Sequence, residues 1–211
     1  MKKGIFITLS GGEGCGKTTT AQALVKKLIS EGYDAIFMDT KYSSFSKSIR
    51  TAILDNKNLS ADTEQFLWCG ILQNLYDSYI RKYTNNGIIV VMDRWIEDTF
   101  VYQHLTMGAT KRPVINAEQQ DLAILLDIDP KFALKRIKEN NRETNRYDEM
   151  NLKIHKQLRQ NFQMIWTKNH QKKPNVYKMI QAQDYNVIDI VDMIYTMAVK
   201  KYHEVNNEND N

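Results

Sequence analysis

Gly11-Gly12-Glu13-Gly14-Cys15-Gly16-Lys17-Thr18 is the stretch on which the fold turns. A glycine, four residues, then Gly-Lys-Thr is the spacing of a phosphate loop. Before it stands Ile5-Phe6-Ile7-Thr8-Leu9, a run suited to a buried parallel strand. After it, Ala21, Leu24, Val25, Leu28 and Ile29 recur at helical spacing. Strand, glycine loop and helix form the setting in which this motif carries chemistry. Without Cβ atoms in the way, backbone N–H groups turn toward phosphate oxygens, and the helix N-terminus adds its dipole. Lys17 then reaches β- and γ-phosphates, and the Thr18 hydroxyl sits on Mg²⁺. Gly11, Gly12, Gly14, Cys15, Gly16, Lys17, Thr18 and Thr19 are the expected donor-nucleotide site.

Composition narrows the rest. At 211 residues, 42% apolar and 26% charged, the chain has the make-up of one soluble globular domain. A net charge of +4 suits a polyphosphate ligand, but it is too small and dispersed to argue for nucleic acid. No stretch reads as a membrane span, and the apolar run after Lys2-Lys3 ends in the phosphate loop, too short for a signal peptide. Cys15 and Cys69 match no metal or disulfide pattern, and a cysteine inside the loop fits a reducing, cytoplasmic setting. Residues 203–211, rich in Asn and Glu, read as a flexible tail, which leaves 1–202 as a single domain.

Along the chain, a second strand at 35–38 ends at Asp39. The serine-rich residues 41–47 read as a polar connection to a short helix near 49–54. Residues 62–83 form a long helix with Trp68, Leu72, Leu75 and Tyr79 along one stripe, the pattern of a core face. The turn Asn85-Asn86-Gly87 leads to the strand Ile88-Ile89-Val90-Val91-Met92, closed by Asp93-Arg94. A carboxylate at the end of a buried strand suits a metal–water ligand, and the arginine beside it suits a second phosphate. A solvent-facing ion pair is the plainer reading. A helix bearing Trp95, Asp98, Thr99, Tyr102 and Gln103 follows. A fourth strand at 122–126 ends at Asp127, and Pro130 opens another helix. Arg136, Lys138, Arg142 and Arg146 make residues 135–146 either an arginine-bearing flap or a solvated helix end. A helix at 148–169, a strand at 176–180 and a helix at 185–201 complete the order. Such alternation gives a five-stranded parallel sheet covered on both faces, with ligands at the carboxyl ends of its strands.

Asp93-Arg94-Trp95-Ile96-Glu97-Asp98-Thr99-Phe100-Val101-Tyr102-Gln103 resembles the thymidylate kinase signature Asp-Arg-Tyr-x-x-Ser-Ser-x-Ala-Tyr-Gln. The loop from Gly11 to Thr19 is similar to that of the same family, as are Leu126-Asp127-Ile128-Asp129-Pro130 and Arg159-Gln160-Asn161-Phe162. The resemblance spans residues 4–200. It implies the α/β architecture of the P-loop nucleoside monophosphate kinases, a lid near residues 138–147 and a homodimer. The reaction it implies is transfer of the γ-phosphoryl of ATP to dTMP, with Mg²⁺, toward dTTP. By position, Glu13 falls at the family's acidic contact to the acceptor sugar, and Arg94 at its grip on the acceptor phosphate. Tyr102 falls at the residue that stacks under the deoxyribose, and Gln103 at one approaching the base. Some members carry an arginine inside the loop. Here that position is Gly14, so the resemblance assigns the charge on the moving phosphoryl group to lid residues Arg142 and Arg146.

The departures bear on the nucleobase. Ser10 stands where the family has an acidic residue, Asp98 where it has serine, and Lys41-Tyr42-Ser43 where it has a proline-containing motif. Trp68 and Leu72 fall on the family's Phe-x-x-x-Arg, whose arginine hydrogen-bonds thymine. A base edge that loses a buried donor costs about 1–3 kcal/mol. Tyr42 stacking on a base, Asp98 reading a donor and an apolar wall at Leu72 are the expected replacements, with Arg50 or Arg81 as other cations able to reach the base edge. Three readings follow: a dTMP kinase, a kinase for another deoxynucleoside monophosphate such as dUMP or a 5-modified deoxyuridylate, and a non-catalytic nucleotide-binding module.

Overall fold

Five short apolar runs become five parallel strands, because each is bounded by polar or turn residues and followed by a helix. They are β1 (Phe6–Ser10), β2 (Ala35–Met38), β3 (Ile89–Asp93), β4 (Leu122–Asp127) and β5 (Tyr177–Gln181). The computed structural model describes residues 2–139 and 144–207. The strands lie in the order β2-β3-β1-β4-β5, and every neighbouring pair is parallel. The three central strands are buried along their whole length, and only β2 and β5 are partly exposed. The register sets Leu9 beside Asp93, so the carboxyl ends of β1 and β3 open on the same rim.

Side chains alternate between the faces, as strand geometry requires. Ile7, Leu9, Val91 and Ile124 meet α1 (Lys17–Ser30) on one face through Leu24 and Leu28. On the other face two clusters form. Phe6, Val90 and Met92 pack on Ile71, Leu72 and Leu75, and Ala123 and Leu125 pack on Val101, Phe162 and Trp166. The helices carrying these residues, with their neighbours, are α2 (Ser44–Asp55), α3 (Ala61–Leu75), α4 (Ile96–Thr99), α5 (Pro130–Glu139) and α6 (Leu152–Lys172). A last helix, α7 (Val187–Asn207), joins α1 on its face through Ile194 and Ala198.

Three local features differ from the sequence reading. Residues 44–47, read as a polar connection, are the first turn of α2, because Ser43 caps the helix by accepting the Ser46 N–H at 3.0 Å. The helix read across 62–83 is interrupted by a π-helical turn at Tyr76–Ile80 before resuming as Arg81–Asn85, and α4 likewise runs on into a π-helical segment, Phe100–Thr106. Helix α7 continues to Asn207, where the sequence suggests an end near residue 201 and a loose tail after it. Asn206 holds it in place by accepting from the Lys3 N–H at 2.8 Å and donating to the Lys3 carbonyl at 3.0 Å. The remaining tail, residues 208–211, lies outside the described residues.

Candidate active site

The loop after β1 is shaped by what surrounds it. Gly11 has φ 145°, and a Cβ there would stand 2.6 Å from the Leu126 carbonyl oxygen. Gly14 has φ 73°, and a Cβ there would stand 2.6 Å from the Ala133 carbonyl oxygen on α5. A side chain at position 14 would be strained by backbone and neighbour alike. Lys17, buried at the start of α1, donates to the carbonyls of Gly11 at 2.9 Å and Gly12 at 2.7 Å. The Thr18 hydroxyl donates to Asp93 Oδ2 across the rim between β1 and β3. Cys15 turns its side chain into the core, and burial pushes its thiol up from the ordinary value. Gly11, Gly12 and Cys15 do not line the cavity beside the loop, whereas Gly14, Gly16, Lys17, Thr18 and Thr19 do.

That cavity, about 400 Å³, runs from the loop toward α2 and α3. At its centre is Arg94, the first residue after β3. Its φ is 75°, a left-handed conformation rare for any residue but glycine or asparagine. The guanidinium is fixed on two sides, by Glu13 Oε1 at 2.5 Å from Nη2 and by Asp98 Oδ1 at 3.3 Å from Nη1. It lies over the Tyr102 ring at 5.3 Å, and the Tyr102 hydroxyl donates to the same Glu13 oxygen at 3.1 Å. Burial, then the Glu13 charge, raises the Tyr102 phenol well above its ordinary range, so it stays a neutral donor. Asp98 does not present a free carboxylate to a base. Its Oδ2 accepts from the Ser10 hydroxyl at 2.6 Å and the Trp95 N–H at 3.1 Å. Burial raises its carboxyl, and the nearby cations Arg94 and Lys17 oppose that rise. Thr99 follows it on the same wall.

The cavity is also lined by Arg50 and Leu54 of α2, Trp68 and Leu72 of α3, Gln103, and Tyr147 from the segment before α6, with Arg50 within electrostatic reach of Arg94 and Glu13. The Tyr147 hydroxyl is a junction. It donates to Glu64 at 3.0 Å, and it accepts from the Trp68 indole at 3.2 Å and from the Gln103 amide at 3.3 Å. Arg146 is held away from the loop by an ion pair with buried Glu64 and a 3.1 Å bond to the Asn56 carbonyl. It does not line the cavity, so the structure does not bring it to the phosphates. Arg142, the other lid arginine, lies outside the described residues. Tyr42 is also turned aside, with its hydroxyl 2.9 Å from that of Tyr83 and its ring edge-on to Tyr79. Arg81 pairs with Asp77 on the surface.

Sequence reading missed Asp39, Leu54, Asn145 and Tyr147 as cavity residues; of the two cations it offered for the base edge, Arg81 lies on the surface and the cavity is lined by Arg50. Among the described residues no hydrogen bond or ion pair engages its guanidinium, which burial lowers from its ordinary value against the opposing Asp39 charge. Tyr147 follows a charged stretch and gives no periodic signal.

The donor set tests the expected magnesium. Asp93 Oδ1 is buried without a hydrogen-bond partner, beside the Thr18 hydroxyl. Two hard oxygen ligands at the loop fit Mg²⁺, which takes one or two protein ligands and fills the rest with phosphate and water. A protein-only metal cage is a different arrangement, and among the described residues none is present.

A family model described as Thymidylate kinase matches residues 9–191. A protein named thymidylate kinase from Clostridium novyi (strain NT) is 34% identical over 195 residues, covering 86% of this chain and 92% of its own. One of the same name from Oceanobacillus iheyensis is 32% identical over 191 residues, covering 85% and 83%. Another, from Staphylococcus epidermidis, is 28% identical over 203 residues, covering 92% and 97%.

Proposed function

The chain belongs to the thymidylate kinase family, and on that premise we propose that it transfers the γ-phosphoryl group of ATP to dTMP. The observation that carries this reading is the pairing of Leu9 with Asp93, which sets the loop lysine and Arg94 at two sides of one cavity. The loop amides and Lys17 hold the donor's β- and γ-phosphates, and Arg94 holds the acceptor phosphate opposite. An oxygen of the acceptor 5′-phosphate attacks the γ-phosphorus, the bond to the β–γ bridging oxygen breaks, and ADP leaves. The acceptor phosphate needs no general base, because it is already an anion. Catalysis here is positioning and charge stabilisation. Thr18 and Asp93 would hold Mg²⁺, which supplies neutralisation of the phosphate oxygens.

Glu13 and Tyr102, joined by their hydrogen bond, form the floor under the acceptor sugar. A 2′-hydroxyl there would meet the Tyr102 ring and find its polar neighbours already paired. At the base end Gln103 and Arg50 face the ring, while Trp68 and Leu72 supply an apolar wall that also admits dUMP and 5-substituted deoxyuridylates. With Arg146 tied to Glu64, Arg142 is the lid cation for the moving phosphoryl group. The protein acts as a homodimer in the cytoplasm. The dimer is what the family resemblance implies, and two free buried cysteines support the reducing, cytoplasmic setting. Among the described residues no helix is long and apolar enough to cross a membrane.

An ADP-release assay across the ribo- and deoxynucleoside monophosphates tests the reading. Highest kcat/KM for dTMP supports it, and no ADP release with any acceptor overturns it. Sedimentation of the purified protein as a monomer would remove the dimer.

A further inference from the structure

Three facts about Asp98 and Ser10 stand apart from the expected roles. Ser10 is the last residue of β1 and is wholly buried, immediately before the phosphate loop. Asp98 is almost wholly buried in α4 and accepts the Ser10 hydroxyl at 2.6 Å. The same carboxylate takes the Trp95 N–H at 3.1 Å and Arg94 Nη1 at 3.3 Å. One side chain thus reaches the strand that launches the donor loop, the start of the next helix and the arginine between them.

We propose that Asp98 is a positioning residue that locks the acceptor-phosphate arginine to the donor loop, acting through Ser10. The geometry gives it a task that Glu13 cannot perform alone. A guanidinium carries five N–H groups in a rigid fork, and one carboxylate fixes only one edge of it. Glu13 holds Nη2 and Asp98 holds Nη1, so the plane is set in two directions while other N–H groups stay available to a phosphate. Arg94 has an unfavourable φ of 75°, and such a backbone persists only where its surroundings over-determine it. Arg94 N donating to the Leu9 carbonyl at 2.9 Å and Asp98 holding Trp95 N supply that from both sides. A buried carboxylate facing three donors, one of them cationic, is compensated. Left without Ser10 or Arg94, it would not be. The distance between donor and acceptor phosphates is therefore set within the protein by a 2.6 Å contact between β1 and α4.

This inference rests on the reading of Arg94 as the acceptor-phosphate ligand, and the experiment separates the two. Steady-state kinetics with dTMP and ATP are measured for wild type, Asp98→Asn, Asp98→Ser, and the exchange variant carrying Ser10→Asp with Asp98→Ser. The exchange keeps one carboxylate and one hydroxyl in contact but moves the charge to the strand, at nearly constant volume. Each single change should lower kcat/KM for dTMP by about 10–100-fold, the range for losing a charged hydrogen bond. The exchange variant should recover most of that loss, as expected for residues that act as a pair. Affinity for MgATP alone should move less than twofold. A plain helix-capping role predicts something different: a lower Tm, but kcat/KM within twofold in every folded variant, since serine and asparagine also cap. That result would overturn the proposal, as would an exchange variant no better than Asp98→Ser. If the exchange variant fails to fold, Asp98→Asn decides, since it keeps the shape and loses the charge and one accepting oxygen. A wild-type protein inactive on every acceptor would remove the reading of Arg94 and the inference with it.

Discussion

The two ends of the cavity are built by different means. At the phosphate end, Lys17, Thr18, Asp93 and Arg94 hang from strand ends and a glycine loop, where the sheet register dictates every position. At the base end, Arg50, Leu54, Trp68, Leu72 and Tyr147 come from three separate segments packed side by side. The first end depends on backbone, because its charged residues are set by the sheet register and the loop. The second depends on side-chain packing, so one polar partner can be exchanged for another while the pocket stays closed. On the proposed reading, chemistry resides in the rigid end, and the choice of base in the adjustable one.

The contrast can be broken most severely at Lys17. Lys17→Ala should lower kcat by on the order of 10²–10³ or more, as loss of a charge-stabilising donor does. The far-UV spectrum and Tm should change little, because its ammonium bonds only groups of the loop itself, the Gly11 and Gly12 carbonyls and the Cys15 sulfur. A smaller loss would mean that the loop's amides alone suffice. Next comes Arg50, a cavity cation with no hydrogen-bond or ion-pair partner among the described residues. Arg50→Ala should raise the dTMP KM by roughly 10–100-fold, from about 1.5–3 kcal/mol for a charged hydrogen bond. The ATP KM should stay put. If both constants rise together, the two ends are not separable.

The base end is sharpened by comparing acceptors. Preference for dTMP over dUMP should fall below about 100-fold in kcat/KM, since one methyl against an apolar wall is worth about 1–3 kcal/mol. A preference of several thousand-fold would point to a buried donor on the base that Trp68 and Leu72 do not supply. The smallest effect is expected at Tyr147. Tyr147→Phe removes the hydroxyl that joins Glu64, Trp68 and Gln103, and should raise the dTMP KM about 3–10-fold, near 1 kcal/mol, with kcat held. A fall in kcat alone would move Tyr147 to the rigid end.

How legible each end was in the sequence follows from the same difference. The loop, its flanking strand and helix, and Asp93-Arg94 are local patterns, fixed by spacing along the chain, and the strands they belong to were readable from apolar runs. The base end is not local. Trp68 and Tyr147 are distant in sequence and meet only because α3 and the segment before α6 cover the same face of the sheet. Tyr42 was read as a base stacker from its place after β2, yet the π-helical turn in the long helix carries Tyr79 and Tyr83 to it instead. Asp98, standing where the family has serine, reads as a base contact, and the partner that occupies it instead, Ser10, is 88 residues away. Pairings of that kind are decided by tertiary packing, which no window of sequence contains.

The left-handed backbone at Arg94 has a consequence over evolutionary time. Every side chain except glycine or asparagine carries a penalty of roughly 1–2 kcal/mol in that conformation. Selection for stability alone would steadily favour glycine at this position. What keeps an arginine there is its place in the cavity, between Glu13 and Asp98. Position 94 is therefore a marker of history: in a descendant that had given up the reaction, drift to glycine should appear there early, before the buried strands had changed at all.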